Sequence, residues 1–428
     1  MLPRARELHR LTAPASFLWA VGIEDTFITQ PHPRTGRMLD EYELTGHYAR
    51  VAEDISLMKQ LGVSCARYGV PWHRIQPERN VWDWSFVDAA MNLFERACIS
   101  PIIDFVHYGL PPWIDGAFLH PDYPKYVAEY AVRLAERHRG RLIWYTPLNE
   151  PRITAWYCGR LGWWPPHGRS WRMFVSLMIA ICKGIVETVR AIAAIDPDMV
   201  PLHVDASDLF ETEDPLLEEE ARRRQEIVFL ALDLISGRVD ENHKLWDWLI
   251  RQGASEAVLR DFREKPLSLP VIGANLYPMF TSKRLLRDRA GRLRIVMPHA
   301  GGWLVEKICR MYVERYQSPV MISETADKGS VARRMAWLTQ SVEAVRRLRD
   351  EGAPVVGYTW WPMFALVTWA YRQGERPLQA HLLQMGLWDL DENPKHDLAR
   401  VETPLVDAYR RIVRGGHHEV GLLRPVPT

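Results

Sequence analysis

Short apolar runs alternate with longer stretches of helical period along the whole chain. The runs are Phe17–Ile23, Cys65–Val70, Pro101–His107, Leu142–Leu148, Met199–Val204, Pro270–Leu276, Pro319–Ser323 and Pro354–Trp361. Each is apolar on both alternating faces, the pattern of strands in a parallel sheet that helices cover. Between them, His47–Leu61, Ser85–Ala97, Tyr123–Arg137, Trp171–Ile195, Val305–Tyr316 and Val331–Asp350 repeat apolar residues at helical spacing, the last at Val342, Val345 and Leu348 with Arg and Glu between. Strand-then-helix units in this number predict an α/β fold, a single (β/α)8 TIM barrel with extended βα loops and one domain over residues 1–428. An open dinucleotide-binding sheet loses its support, because Val21-Gly22-Ile23 runs on into Glu24-Asp25 without a G-x-G-x-x-G turn.

Three stretches fall outside this rhythm. Residues 207–264 hold an acidic run (ETEDPLLEEE) and a basic cluster (ARRRQ), which read as solvated helices and loops after the fifth strand. Arg284–Arg294 reads as an exposed hairpin or loop, and Gly415-Gly416-His417-His418 as a solvated tail.

Composition narrows the partners. The chain has 428 residues, 47% hydrophobic, with 54 Lys plus Arg against 53 Asp plus Glu and no long single-sign run, so nothing marks it for nucleic acid or an anionic membrane. No segment reaches the ~18 consecutive apolar residues of a membrane span, and the first residues lack an apolar signal core, which predicts a cytoplasmic protein. The five cysteines, Cys65, Cys98, Cys158, Cys182 and Cys309, are odd in number and scattered without C-x-x-C, which predicts free thiols rather than a disulfide frame or zinc ribbon. Oligomeric state is not legible.

In such a barrel chemistry gathers where the strands end. The runs end on Glu24 and Asp25, Arg67, His107, Asn149 and Glu150, Asp205, Asn275 and Tyr277, Glu324, and Trp360 with Trp361. Taken alone, Asn149-Glu150-Pro151 reads first as a turn or helix cap. A second carboxylate, Glu324, ends a strand on the opposite wall, and two acids facing across a cleft are the equipment for cleaving a glycosidic bond. A divalent-metal site ranks below this, since no H-x-H or D-x-D spacing supports it, and no cofactor is implied.

The chain resembles glycoside hydrolase family 1, the retaining β-glucosidase-like glycosidases, from about Phe17 to Trp369. The motifs that carry the resemblance are FLWAVGIEDTF, RYGVPWHRI, HYGLPPW, TPLNEP, GANLYP, SPVMISETA and GYTWWPMFALVTW, in order. The resemblance implies that Glu150 is the general acid/base and Glu324 the nucleophile, that Asn149 binds the sugar 2-hydroxyl, and that Arg67 and Tyr277 lie against Glu324. It also implies that His107 binds near the 3-hydroxyl, that Asn275 belongs to the Asn-x-Tyr motif, and that Trp361 or Trp369 walls the sugar. The substrate implied is a small-molecule β-glycoside, with the two carboxyls about 5–5.5 Å apart for retention.

Departures from the family pattern bear on the sugar. Phe27 stands where a sugar-binding Gln is usual and Thr368 where a Glu is usual; Ala365 and Leu366 replace an Asp and an Asn, and Pro147 a Thr. A pocket short of those partners disfavours an ordinary hexose and points to a deoxy or modified sugar, or to an apolar aglycone. Alternatively Glu24, Asp25 or Asp205 supplies the missing contacts from a different register. Two further readings keep the same site: a biosynthetic transglycosidase, and a non-catalytic carbohydrate- or metabolite-binding protein.

Overall fold

The computed structural model describes residues 11, 13, 16–392 and 398–415, so His417 and His418 lie outside the described residues. Eight parallel strands close a barrel: β1 (Leu18–Gly22), β2 (Cys65–Gly69), β3 (Ser100–Asp104), β4 (Trp144–Thr146), β5 (Val200–Ala206), β6 (Val271–Asn275), β7 (Val320–Thr325) and β8 (Val355–Trp360). They stand in chain order, and β1 closes the ring by pairing with both β2 and β8. All eight expected runs are therefore the barrel strands.

The outer helices are α1 (His47–Leu61), α2 (Ser85–Ala97), α3 (Tyr123–Arg137), α4 (Trp171–Ile195), α5 (Glu218–Ile235), α6 (Trp303–Tyr316), α7 (Val331–Asp350) and α8 (Pro404–Gly415). Local chemistry sets several of their ends. Ser170 and Ser330 accept the Met173 and Arg333 N–H groups as N-caps of α4 and α7, and Gly62 takes a φ of 79° to end α1.

Side chains from every strand, among them Leu18, Cys65, Ile102, Trp144, Leu202, Val271, Met321 and Val356, pack as one cluster inside the barrel. Alternation along a strand brings every second residue to the same face. Continuing that parity from Cys65 gives Arg67, from Ile102 gives Asp104, from Val271 gives Asn275, and from Met321 gives Ser323. The interior is thus apolar at its base and polar where the strands end. In β7 the register slips: Ile322 lies opposite Ala274 but Glu324 opposite Asn275, one extra residue on β7. Such a bulge re-aims side chains, and here it turns both Ser323 and Glu324 toward the same end.

Residues 207–264 depart from the solvated reading. Leu209–Thr212 is a strand, and α5 is buried continuously from Glu226 to Ile235. Two carboxylates can be buried there because Arg315 of α6 reaches Glu226 (2.9 Å) and Asp233 (2.5 Å). The expected hairpin forms from Ser282–Arg287 and Leu293–Val296, the first strand pairing with Leu209–Thr212, the second exposed throughout. No helix among the described residues is long and apolar enough to cross a membrane. No disulfide joins the five cysteines, of which only Cys98 is exposed.

Candidate active site

Glu150 follows β4 with a φ of 46°, a left-handed conformation that costs a non-glycine residue roughly 1–3 kcal/mol and recurs at functional sites. The backbone is pinned on both sides, the Asn149 N–H donating to Val106 O and the Glu150 N–H to Val204 O. Its carboxyl receives Asn275 Nδ2 at Oε1 (2.9 Å) and the Tyr108 hydroxyl at Oε2 (2.5 Å). Burial, followed by the negative charge of Glu324, pushes the Glu150 carboxyl up to about 7. Among the described residues no cation pairs with it.

Glu324 is held differently. Its Oε1 lies 2.5 Å from Arg67 Nη1 and its Oε2 accepts the Tyr277 hydroxyl at 2.7 Å. Burial raises its carboxyl above the ordinary range while Arg67, then His107 and the Tyr277 hydroxyl, oppose the rise. Of the two acids, the one against the guanidinium ionises first. Arg67 Nη2 also binds Asp104 (2.5 Å) and Asn149 Oδ1 (3.0 Å), so one cation joins β2, β3, β4 and β7.

Asn149 Oδ1 accepts from both Arg67 and Asn275, which turns its Nδ2 toward His107 Nε2 at 2.9 Å. That orientation makes Nε2 an acceptor and puts the ring proton on Nδ1. Nδ1 faces Asp25 (2.5 Å) and Asp104 (3.2 Å), whose charges pull the ring toward the doubly protonated form and raise it well above the usual His value against the opposing effect of burial. The Asn149 amide and the two carboxylates thus act in opposite directions on the ring. Asp25, Asp104 and His107 bring one ligand atom each within 4.8 Å of one another, as do Glu226, Asp233 and His243. Arg67 sits on the first trio and Arg315 on the second, so each cluster already has its cation.

A cavity of about 430 Å³ opens over this network, its polar lining including Glu24, His107, Tyr108, Glu150, Asn275, Tyr277, Glu324 and Thr368, with the Lys283–Asp208 ion pair also at its wall. Ile153, Trp163, Phe280, Met297, Leu366 and Leu383 give it an apolar side, with Trp369 beside them. Trp163, Phe280 and Met297 are partly open to solvent.

The residues expected to contact sugar divide. Glu24 lines the cavity, accepting from Thr26 Oγ1 (2.6 Å) and Trp361 Nε1 (3.3 Å), and burial raises its carboxyl. Thr368 lines it too, with its hydroxyl 3.1 Å from His381 Nδ1. Phe27, Asp25, Trp361, Arg67, Asn149 and Asp205 do not line it. Phe27 packs edge-on against Tyr42 and beside His73, while its backbone N–H reaches His107 O. Asp25 is pressed between His107 and Gly69, where a β-carbon on Gly69 would lie 2.0 Å from its carboxylate. Trp361 stacks on His107 (5.7 Å between centroids) and over Arg67, as a support behind the polar wall. Phe27→Ala is accordingly expected to cost about 3–5 kcal/mol of stability while leaving ligand affinity within about twofold, read by chemical denaturation beside a titration.

Asp205 is fully buried, its Oδ1 taking the Ala206 N–H and its Oδ2 having no hydrogen-bond partner among the described residues. Burial pushes it up to about 8, against the attraction of Arg152. A carboxyl raised in the folded state contributes most stability below its unfolded pKa of about 4 and loses it as pH rises through the folded value. Asp205→Asn should therefore raise Tm at pH 8 and give no gain at pH 4 in calorimetric scans at the two pH values.

Sequence reasoning missed Tyr108, Asp104, Ser323 and Trp163. Asp104 and Ser323 were reachable, since strand parity from Ile102 and Met321 leads to them. Tyr108 sits beside His107 in HYGLPPW, but its contact with Glu150 spans 42 positions and leaves no local signal.

Comparison with known proteins finds relatives over part of the chain and a shared fold over nearly all of it. The model of glycosyl hydrolase family 1 matches residues 20–223. Among curated proteins the chain is similar to the probable inactive beta-glucosidase 14 of Oryza sativa subsp. japonica, 28% identical over 128 residues, which are 28% of this chain and 25% of that protein. It is similar also to beta-glucosidase A of Thermotoga maritima, 30% identical over 115 residues, 26% of each chain. The matched segments thus span about a quarter of those relatives' length. The solved family 1 b-glucosidase of Thermotoga maritima shares the fold, with a TM-score of 0.79 at 20% identity over 94% of this chain and 99% of that one. The chain thus resembles glycosyl hydrolase family 1 over residues 20–223 and shares the barrel fold of a solved family 1 b-glucosidase.

Proposed function

We propose that the protein is a retaining β-glycosidase acting by double displacement on a β-glycoside with an apolar aglycone. The observation that carries this reading is the unequal treatment of two acids on one cavity: Glu324 is held by a guanidinium, whereas Glu150 accepts from the neutral donors Tyr108 and Asn275 and is pushed up to about 7. In the first step a Glu324 oxygen forms a bond to the anomeric carbon, the bond to the leaving oxygen breaks, and Glu150 gives that oxygen its proton. In the second, water attacks the same carbon, Glu150 takes the water's proton, and Glu324 leaves as carboxylate. Between the steps Glu324 is an uncharged ester, so the repulsion that raised Glu150 is gone and the group works as a base.

Glu24 is the group we assign to the sugar's far side, in place of the carboxylate that Thr368 does not supply. It lines the cavity, and it reaches the Trp361 indole N–H as well. The apolar side formed by Ile153, Phe280, Met297 and Leu383 supports an apolar aglycone. The test is aglycone release from a panel of nitrophenyl β-glycosides, deoxy sugars included, with Glu324→Gln as the blank. Release that vanishes in the variant upholds the reading, and equal release from both proteins overturns it.

Absence of release with tight sugar binding would favour the non-catalytic reading. The departures at Phe27 and Thr368 speak for it, as does the word "inactive" in the name of the rice relative. The intact acid pair speaks against it, since burying both carboxyls carries a desolvation cost that binding alone does not require.

A further inference from the structure

Glu150 is gripped at both oxygens, and the two grips differ in kind. Asn275 Oδ1 accepts from Ser323 Oγ (2.7 Å), which commits the amide nitrogen to Glu150 Oε1 as a donor only. The Tyr108 hydroxyl on Oε2 can donate or accept. A proton on Glu150 consequently resides on Oε2, the oxygen that Tyr108 touches. Tyr108 is itself fixed: its φ is 69°, and its ring is wedged among His107 (4.5 Å), Trp164 (5.1 Å) and Trp369 (5.2 Å).

We propose that Tyr108 is a positioning residue for Glu150, aiming Oε2 into the cavity and exchanging acceptor for donor as the proton leaves that oxygen. When Glu150 is neutral its Oε2–H donates to the phenol oxygen or turns to the bound leaving oxygen. Once the proton has gone, the phenol O–H donates to the new carboxylate and stabilises it. No net proton is gained or lost by Tyr108, whose own ionisation is suppressed by burial and by Glu150. This role rests on the glycosidase reading for its catalytic consequence, whereas the hold on Glu150 does not.

Other charges also face Glu150. Glu324 on β7 and Asp205 on β5 disfavour its ionisation, and His107 after β3 favours it. Arg152 and Tyr157 follow on its own helical segment, and Tyr277 reaches in after β6. Substituting Tyr108 changes none of these, so a shift in Glu150 reports the phenol.

Two variants test the proposal in opposite directions. Tyr108→Phe removes the donor to the carboxylate and should move the basic limb of kcat/KM up by about one pH unit, with kcat down about 10-fold and KM within about twofold. 3-Fluorotyrosine at position 108 keeps the packing, strengthens the donor and should move that limb down. A basic limb that stays in place in both proteins overturns the proposal, whatever happens to kcat. Should the wild-type protein release no aglycone, the glycosidase reading fails separately, and the hold is measured by carbon NMR titration of the Glu150 carboxyl, assigned against Glu150→Gln. A titration raised in Tyr108→Phe upholds it, and an unchanged one overturns it.

Discussion

Glu324→Gln is expected to lower kcat/KM on nitrophenyl β-glycosides by on the order of 10⁴-fold or more, the scale of removing a group that must form the covalent bond. An amide keeps the shape, its carbonyl oxygen still accepting from Arg67 while its NH2 donates to the Tyr277 hydroxyl oxygen, but it cannot attack the anomeric carbon. Arg67 retains Asp104 at 2.5 Å, so the guanidinium is not left without a counter-charge and the barrel should remain folded. The change also removes the nearest negative charge from Glu150, whose pKa should fall toward the ordinary carboxylate value. Loss of turnover together with a lowered Glu150 titration, at a Tm within a few degrees of wild type, is the expected set. Turnover that survives in the variant would remove Glu324 from the chemistry.

Glu150→Gln should fall hardest on poor leaving groups. General acid assistance contributes roughly 10²–10⁴-fold, and a phenol that departs readily as its anion needs little of it. We therefore expect a large loss on alkyl or unsubstituted phenyl β-glycosides and a small first-step loss on dinitrophenyl ones, read as the slope of log kcat/KM against leaving-group pKa. The sign of the pH effect follows from the same group. Glu150 must start protonated, and burial with Glu324 pushes it up to about 7, so wild-type kcat/KM should decline above about pH 7. On the acidic side activity needs Glu324 ionised, and because burial raises that carboxyl too, the decline should begin above the ordinary glutamate range. Glu150→Gln should lose the basic limb and keep the acidic one. A basic limb that survives in that variant would assign it to another group.

The contrast between Glu24 and Phe27 shows how far the sequence could be followed. Both lie just past the first apolar run, and strand parity is a safe guide only while the strand lasts. β1 stops at Gly22, and Phe27 pairs in a separate two-residue strand with Asp40, facing Tyr42. Once the chain left the barrel, its register depended on partners from residues far along the sequence. The same holds for residues 207–264, whose charged composition resembles a surface while Arg315, from α6, allows half of α5 to be buried.

What the sequence by itself determined was the barrel and the placing of its two acids. Strand and helix periods are local, every expected run became a strand, and TPLNEP and SPVMISETA put Glu150 and Glu324 at the ends of β4 and β7. What only the tertiary structure supplied was the set of neighbours around each acid and which groups face the cavity. Protonation is set by burial and by charges within a few ångströms, and those neighbours come from other strands: Arg67 from β2 against Glu324, Tyr108 from after β3 against Glu150.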